Sequence, residues 1–527
     1  MKLLFILSLL LLAGSGLGLK FLVYNPKFGG SHALLMGKLA DELAGAGHEV
    51  VVVQTVLNEN LTYAGHTNKK IRLIEVRVQA SIAELSKDGD KMWTTEKSNT
   101  NLRSIGKVFR DGCYELYNNK PVINELKGEH FDLGVGEWFD VCGLGLFKMI
   151  GLQKWITVFG SAVPPQFMSM LGVPASVSFV PGLFDASEAR GFWTRFENVF
   201  GFLYAEKYIF PGFLGSIGEA YEVFDSNLDY RDLIANSSFF WVNTDEFVDF
   251  PRPISHKYVN IGGFGMRKNG KNSVLEPKYQ KIFQKAVKGA IYMSFGSVAQ
   301  SQLMPAEMKS AFLEAFKEFP EVQFIWKYEN ESDHITANYS NVHVERWLPQ
   351  REIISHPKAL IFITHGGMNS ITEATYAGIP LICVPLFGDQ LRNAAMVQAK
   401  GTAKVINKFD LVNKEKIVEV LTEVLNDKRY KLRAQELSQL LKDKPDTPEQ
   451  RIIKTAEFAA KHDVHKHLEL AGRNMNIFQY YNVDVFLAIL VLINLTALGL
   501  AVAVIFFRTL FSSEEDEEEE EEREKED

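Results

Sequence analysis

The chain has 527 residues, 46% of them hydrophobic and 23% charged, and a formal net charge of −8. That length exceeds what one hydrophobic core supports, so two domains with appended segments are expected. The acidity is local: residues 514–527 hold 12 acids against Arg523 and Lys525, and removing their −10 leaves +2, with no basic face for nucleic acid.

Residues 1–18, MKLLFILSLLLLAGSGLG, present Lys2, an apolar stretch to Leu12 and then small residues. This is the order of a secretory signal, with cleavage near Gly16 or Gly18. The following KFLVYNPKFGGSHALLMGKLADELAGAGHEVVVVQ predicts a strand over 21–24, a helix over 31–44 stopped at Gly45 and Gly47, and a strand over 49–54. That βαβ unit opens a parallel sheet. FDLGVGE and WITVF read as further buried strands, and the aromatic-rich stretch 185–240 as helices around an apolar acceptor pocket. In NIGGFGMRKNGKNSVLEP, 260–277, glycine, lysine and asparagine replace apolar periodicity, as in a linker. A second alternating series follows: GAIYMSFGS, QFIWKY, HVERWLPQ, ALIFIT and PLICVP as strands, with PAEMKSAFLEAFKEF and SITEATYAG as helices.

The expected organisation is a signal at 1–18, an N-terminal doubly wound domain at 19–261, a linker at 262–277, a C-terminal doubly wound domain at 278–450 and helices at 451–484. Val485 to Phe507 carries no charge and, at about 1.5 Å per residue, reaches roughly 34 Å, enough for a transmembrane helix. The acidic tail, 508–527, reads as solvated and disordered. Only Arg508 flanks the span with positive charge, so orientation rests on the signal: a single-pass type I protein, body lumenal and tail cytoplasmic.

Cys113, Cys142 and Cys383 form an odd, widely spaced set that makes no disulfide framework, leaving stability to packing. Sequons at Asn60, Asn236, Asn330 and Asn338 suit a lumenal glycoprotein, and the one at Asn494 falls within the span. Three look-alikes are set aside. Gly265–Asn272, GMRKNGKN, imitates a phosphate loop without its final Ser or Thr or a following helix. His462, His465 and His467 have no carboxylate or cysteine cluster to complete a zinc site. Ser512 and Ser513 precede the acid run as an unsupported phosphorylation guess.

Ligands of doubly wound folds bind at strand carboxyl ends, and His32, Ser294–Ser297, Trp347–Gln350, His365–Ser370 and Phe387–Gln390 are expected there. FITHGGMNS, Phe362 to Ser370, is a strand, a glycine turn and a helix start, which aims backbone N–H groups at an anion. For a nucleotide sugar the residues make sense together. Trp347 stacks a base, Gln350 bonds the ribose or base edge, His365 with the N–H groups from Gly367 through Asn369 to Ser370 holds a pyrophosphate, Glu373 accepts from ribose hydroxyls, and Asp389 and Gln390 meet sugar hydroxyls.

WLPQREIISHPKALIFITHGGMNSITEATYAGIPLICVPLFGDQ resembles the signature of the UDP-glycosyltransferases, specifically the animal UDP-glucuronosyltransferase family. The likeness extends to SHALLMGKLADEL, MSFGS and the C-terminal span, in the family's order. It implies a GT-B fold, an α/β architecture of two Rossmann-like domains facing a cleft plus one C-terminal transmembrane helix. It further implies a UDP-sugar donor held by the C-terminal domain, Ser297 included, and a small lipophilic hydroxyl acceptor held by the N-terminal domain. His32 would be the general base of an inverting transfer used in detoxification, without metal or cofactor. A carboxylate must steady the imidazolium. Relatives carry aspartate there, whereas alignment from Phe131 and Asp132 puts Glu137 at that place, with Asp140 three residues on; either could serve. A UDP-glucosyltransferase and a non-catalytic lipophile-binding member stay open as alternatives, and so does oligomeric state. REKED lacks the family's dilysine signal, so the endoplasmic reticulum is expected first and the plasma membrane second.

Overall fold

The computed structural model describes residues 18–82, 91–95, 102–182, 191–266 and 275–526. Apart from Gly18, the expected signal lies outside the described residues, as do the centre of the expected linker and most of the phosphate-loop look-alike.

Strands form two all-parallel sheets. The first runs β3-β2-β1-β4-β5-β6-β7, from β1 (Lys20–Tyr24), β2 (Glu49–Val56), β3 (Arg72–Arg77), β4 (Leu133–Glu137), β5 (Trp155–Phe159), β6 (Phe239–Val242) and β7 (Tyr258–Asn260). The second runs β10-β9-β8-β11-β12-β13, from β8 (Gly289–Ser294), β9 (Val322–Lys327), β10 (Val342–Glu345), β11 (Ala359–Thr364), β12 (Leu381–Cys383) and β13 (Ala403–Val405). Leu22 pairs with both Val51 and Gly134, and Ile363 with both Met293 and Ile382, so β1 and β11 are interior strands. Each sheet reverses its strand order once, between β1 and β4 and between β8 and β11, and a crevice opens at the carboxyl ends of those pairs.

Strands buried on both faces are mostly apolar, as VVVV, WITV and FIT are, and the buried Thr157 hydroxyl is met by the Ser237 hydroxyl at 2.6 Å. Successive β1 residues serve opposite cores: Phe21 and Val23 pack with Leu35 and Leu39, Leu22 and Tyr24 with Phe109 and Leu144. Ile452 and Ala456 of the helix Pro448–Lys461 join the Phe21 core, so the chain returns from the second sheet to cover the first.

Three expectations are corrected, the third in the C-terminal tail. Cys113, in the helix Leu102–Asn118, and Cys142, opening the helix Cys142–Met149, form a disulfide with their Cα atoms 5.7 Å apart. An odd count does not forbid one bridge, because Cys383 stays buried and free on β12. The aromatic stretch 185–240 divides: Phe192, Trp193, Phe196, Phe200 and Tyr204 of the helix Phe192–Tyr204 face outward, with Trp193 69% exposed, whereas Phe210 and Phe213 are buried, Phe213 against Phe139 at a ring distance of 4.8 Å. Helical periodicity reports an apolar face, not that the chain covers it.

Residues Leu470–Asp527 form a separate unit. Its helix Val483–Glu526 contains one segment, Val483–Ser512, long and apolar enough by length and composition to cross a membrane. The backbone stays helical through Glu526 where a disordered tail was expected; glutamate, lysine and arginine are good helix formers, and neither glycine nor proline interrupts them.

Candidate functional site

His32 lies in the first turn of the helix Gly30–Gly45, immediately after the β1 loop, and Glu137 is the last residue of β4. The β1/β4 crevice therefore brings them together: His32 Nδ1 and Glu137 Oε1 are 2.6 Å apart. The imidazole keeps 28% of its surface exposed, whereas Glu137 is fully buried and its Oε2 has no hydrogen-bond partner among the described residues. Phe28 and Phe139 stand against the imidazole at ring distances of 4.5 and 5.3 Å, giving the ring an apolar rim. Burial, the largest influence, lowers the His32 pKa, but the charge and hydrogen bond of Glu137, with a smaller contribution from Asp389, raise it above 6.5 overall. Asp389 belongs to the other half of the molecule, so the two crevices face each other.

Asp140 is turned away from His32. It accepts hydrogen bonds from Tyr24 OH and the Cys142 N–H, both at 3.1 Å, beneath the disulfide. Burial pushes its carboxyl up to about 7, against those two hydrogen bonds and with a further push from Glu137.

Across the crevice, β11 ends at Thr364 and the helix Met368–Ala377 begins three residues after His365. No side chain caps that helix at Gly367. Two glycines make room for the His365 ring. A Cβ on Gly367 would lie 2.5 Å from His365 Nε2, and one on Gly296 would lie 3.0 Å from it on a backbone with φ of +85°. Burial first, and then the charge of Lys327, lower the His365 pKa to about 4, so the ring is neutral. Ser297 is exposed just beyond Gly296.

Trp347 leaves 76% of its surface open. Gln350 Nε2 donates to Glu373 Oε2 at 2.7 Å, and burial raises the Glu373 pKa despite that bond. Asn369 Oδ1 accepts from Asn243 Nδ2 at 3.1 Å, a direct tie between the two halves, and Ser370 is buried beside Gln350. Asp389 Oδ2 accepts from Asn393 Nδ2, while Gln390 Oε1 is committed to the N–H groups of Leu386 and Phe387. Only the amide nitrogen of Gln390 is thus left for a ligand.

Sequence reasoning passed over Asn243, Lys327, Phe28 and Phe139. Lys327 closes β9 and donates to Gly296 O at 2.9 Å, so the strand-end rule could have found it. Phe28 and Phe139 flank the two catalytic candidates in sequence but carry no signal beyond being apolar. The three histidines at 462–467 are apart from the crevice; His465 pairs with Asp463 at 2.8 Å. Among the described residues the one cluster of ligand type, Cys113, Asp140 and Cys142, contains the disulfide, whose sulfurs are not available as thiolates.

Comparison with known proteins agrees with this architecture. The family model described as "UDP-glucoronosyl and UDP-glucosyl transferase" matches residues 20–515. A putative UDP-glucuronosyltransferase of Caenorhabditis elegans, ugt-48, is 29% identical over 489 residues, covering 88% of this chain and 90% of its own length. UDP-glucosyltransferase 2 of Dactylopius coccus is 28% identical over 483 residues, covering 90% of each. The solved glycotransferase of kitacinnamycin superposes with a TM-score of 0.58 at 16% identity, covering 84% of this chain and 98% of its own, which speaks for the GT-B fold alone. Because the family model takes in both sheets, both crevices and the helices beyond them, the chain belongs to the UDP-glucuronosyl and UDP-glucosyl transferase family and is by family and fold a UDP-sugar glycosyltransferase.

Proposed function

We propose that the protein is a membrane-anchored, inverting transferase that moves a sugar, glucuronate in the favoured reading, from UDP to a hydroxyl of a small lipophilic acceptor. The observation carrying the reading is the 2.6 Å contact between His32 and the buried Glu137. With Nδ1–H donated to Glu137, the Nε2 lone pair is left to take the acceptor proton. The oxygen so freed attacks the anomeric carbon, and the bond from that carbon to the UDP oxygen breaks in the same step, inverting the centre. Negative charge then grows on the pyrophosphate. The uncapped N–H groups at the start of Met368–Ala377 and the neutral ring of His365 are suited to meet it. Trp347, Gln350 and Glu373 would take the nucleoside, and Ser297, Asn369, Ser370, Asp389 and the Gln390 amide the phosphates and sugar. Phe28 and Phe139 would favour an apolar acceptor. Within this reading Glu137 partners the base, and Asp140 is structural.

The reading extends to topology. Val485–Phe507 spans the bilayer, the body is lumenal, and the endoplasmic reticulum is the favoured compartment. The disulfide supports a lumenal body, since such bonds persist in oxidising compartments. The expected division into 19–261 and 278–450 is proposed on the same footing.

A glucosyl donor remains the second reading, favoured by the Dactylopius relative's name. Membranes containing the protein, supplied with UDP-glucose and UDP-glucuronate together and a panel of phenols and steroids, decide between them. Glucuronides lost in His32→Ala are the expected result; glucosides would keep the mechanism and change the donor. UDP binding without product from either donor would overturn the catalytic reading in favour of a lipophile-binding protein.

A further inference from the structure

Residues Lys91–Thr94 form a short helix whose packing contradicts its place in the chain. The N–H of Ile82, before it, bonds Leu57 O in the first half of the molecule, and the helix Leu102–Asn118, after it, packs in that same half. Yet Trp93 is fully buried in the core of the second half, edge-on to Phe295 at 5.0 Å with an interplanar angle of 82°. Phe295 is the second residue of Ser294–Ser297, next to Gly296, whose backbone lies against the His365 ring.

A second tie adjoins the first. Lys408 is buried and donates from Nζ both to Met92 O, at 2.7 Å, and to Leu386 O, at 3.2 Å. Leu386 is where Gln390 Oε1 begins to fold the loop that presents Asp389. Residues 92 and 93 of the acceptor half therefore meet the Phe295 loop directly and the Leu386 loop through Lys408, the two loops that flank the proposed sugar and phosphate sites. A buried ammonium satisfied by two carbonyls fixes their spacing, and a large ring with no room to move fixes Phe295.

We propose that Trp93, with Met92 held by Lys408, is a positioning residue for the donor loops, supplied by the half of the molecule that holds the acceptor. This rests on the donor-site reading given above. Its consequence is that the donor site reaches full affinity only when the segment from the other half is seated. Displacing Trp93 relaxes Phe295 and Gly296, and with them the surroundings of His365 and Ser297, without touching His32 or Glu137.

The test uses the full chain in detergent micelles, with UDP titrated calorimetrically and turnover followed at varied donor and acceptor. Trp93→Ala should raise the UDP Kd and the donor KM about 10-fold and leave the acceptor KM within about 2-fold, the size expected when a loop shifts by a fraction of an ångström. Trp93→Phe should recover most of the donor affinity. Lys408→Met should raise donor KM in the same direction by about 3-fold and carries the test if Trp93→Ala does not fold. A lowered melting temperature with unchanged UDP Kd and donor KM would overturn the proposal, as would an equal rise in donor and acceptor KM. Wild-type protein that binds no UDP would overturn the donor-site reading itself; failure of the present proposal would instead appear only in the variants.

Discussion

His32 and His365 both border an order reversal, but on opposite sides of it: His32 follows β1, the first strand of its sheet, and His365 follows β11, the strand across the reversal from first strand β8. Each follows a strand at the point where its sheet reverses order, and each stands at or just before the start of a helix. Their surroundings then diverge. His32 meets a buried carboxylate whose charge overcomes the cost of burial, so its pKa rises. His365 meets two glycines and the charge of Lys327, so burial is unopposed and its pKa falls to about 4. Two strand ends at an order reversal thus carry a ring whose affinity for a proton is raised in one half and a ring that is neutral above about pH 4 in the other. The strand across each reversal makes the difference: beside β1, β4 ends in Glu137, whereas beside β11, β8 ends in Ser294.

The sharpest way to break this comparison is to remove the proposed base. His32→Ala should cut kcat by about 10²- to 10⁴-fold while UDP affinity is unchanged, checked by single-turnover kinetics beside calorimetry. Glu137→Gln should cost about 10- to 100-fold in kcat and shift the pH profile. The sign follows from the raised pKa. In the native protein kcat/KM should climb as His32 loses its proton, on a limb above pH 6.5; with the carboxylate gone, burial is opposed only by the smaller contribution of Asp389 and the limb should move to lower pH. A limb that stays in place would break the pairing. His365→Ala should raise the donor KM about 10-fold and leave the pH limb where it was, because a group titrating near 4 is already neutral over the working range.

The smallest effect is expected at the other buried carboxyl. Asp140 titrates near 7 when folded against 3.8 as its ordinary value, so the folded state holds a proton that the unfolded chain has released. Its contribution is complete below pH 3.8 and is lost as pH rises through about 7. Urea midpoints should therefore fall across that window, and Asp140→Asn should flatten the slope while leaving kcat within about 2-fold.

Much of this was readable before any coordinates. Long apolar strands with glycine turns announced β1, β2, β4 and β5 and most of the second sheet; the strand-end rule led to His32 and His365, and the family resemblance to Glu137. Short or charged strands escaped: Arg72–Arg77 alternates with charges, and Tyr258–Asn260 and Ala403–Val405 are three residues each. Glu137 and Asp140 could not be separated, because three residues at a strand end decide direction through backbone geometry. The disulfide escaped because proximity of the helices carrying Cys113 and Cys142 is a tertiary fact. Trp93 escaped because MWTT has no period, and nothing local says that an indole leaves its own half.

The outward aromatic face of Phe192–Tyr204 bears on how the protein can be handled at the bench. Cutting the chain after Glu469 removes the apolar C-terminal segment but leaves this face on the remaining body. Such a truncated product is expected to self-associate on a sizing column in plain buffer. Replacing Phe196 and Phe200 with serine, and not truncation by itself, is the change that should give monodisperse material for crystals.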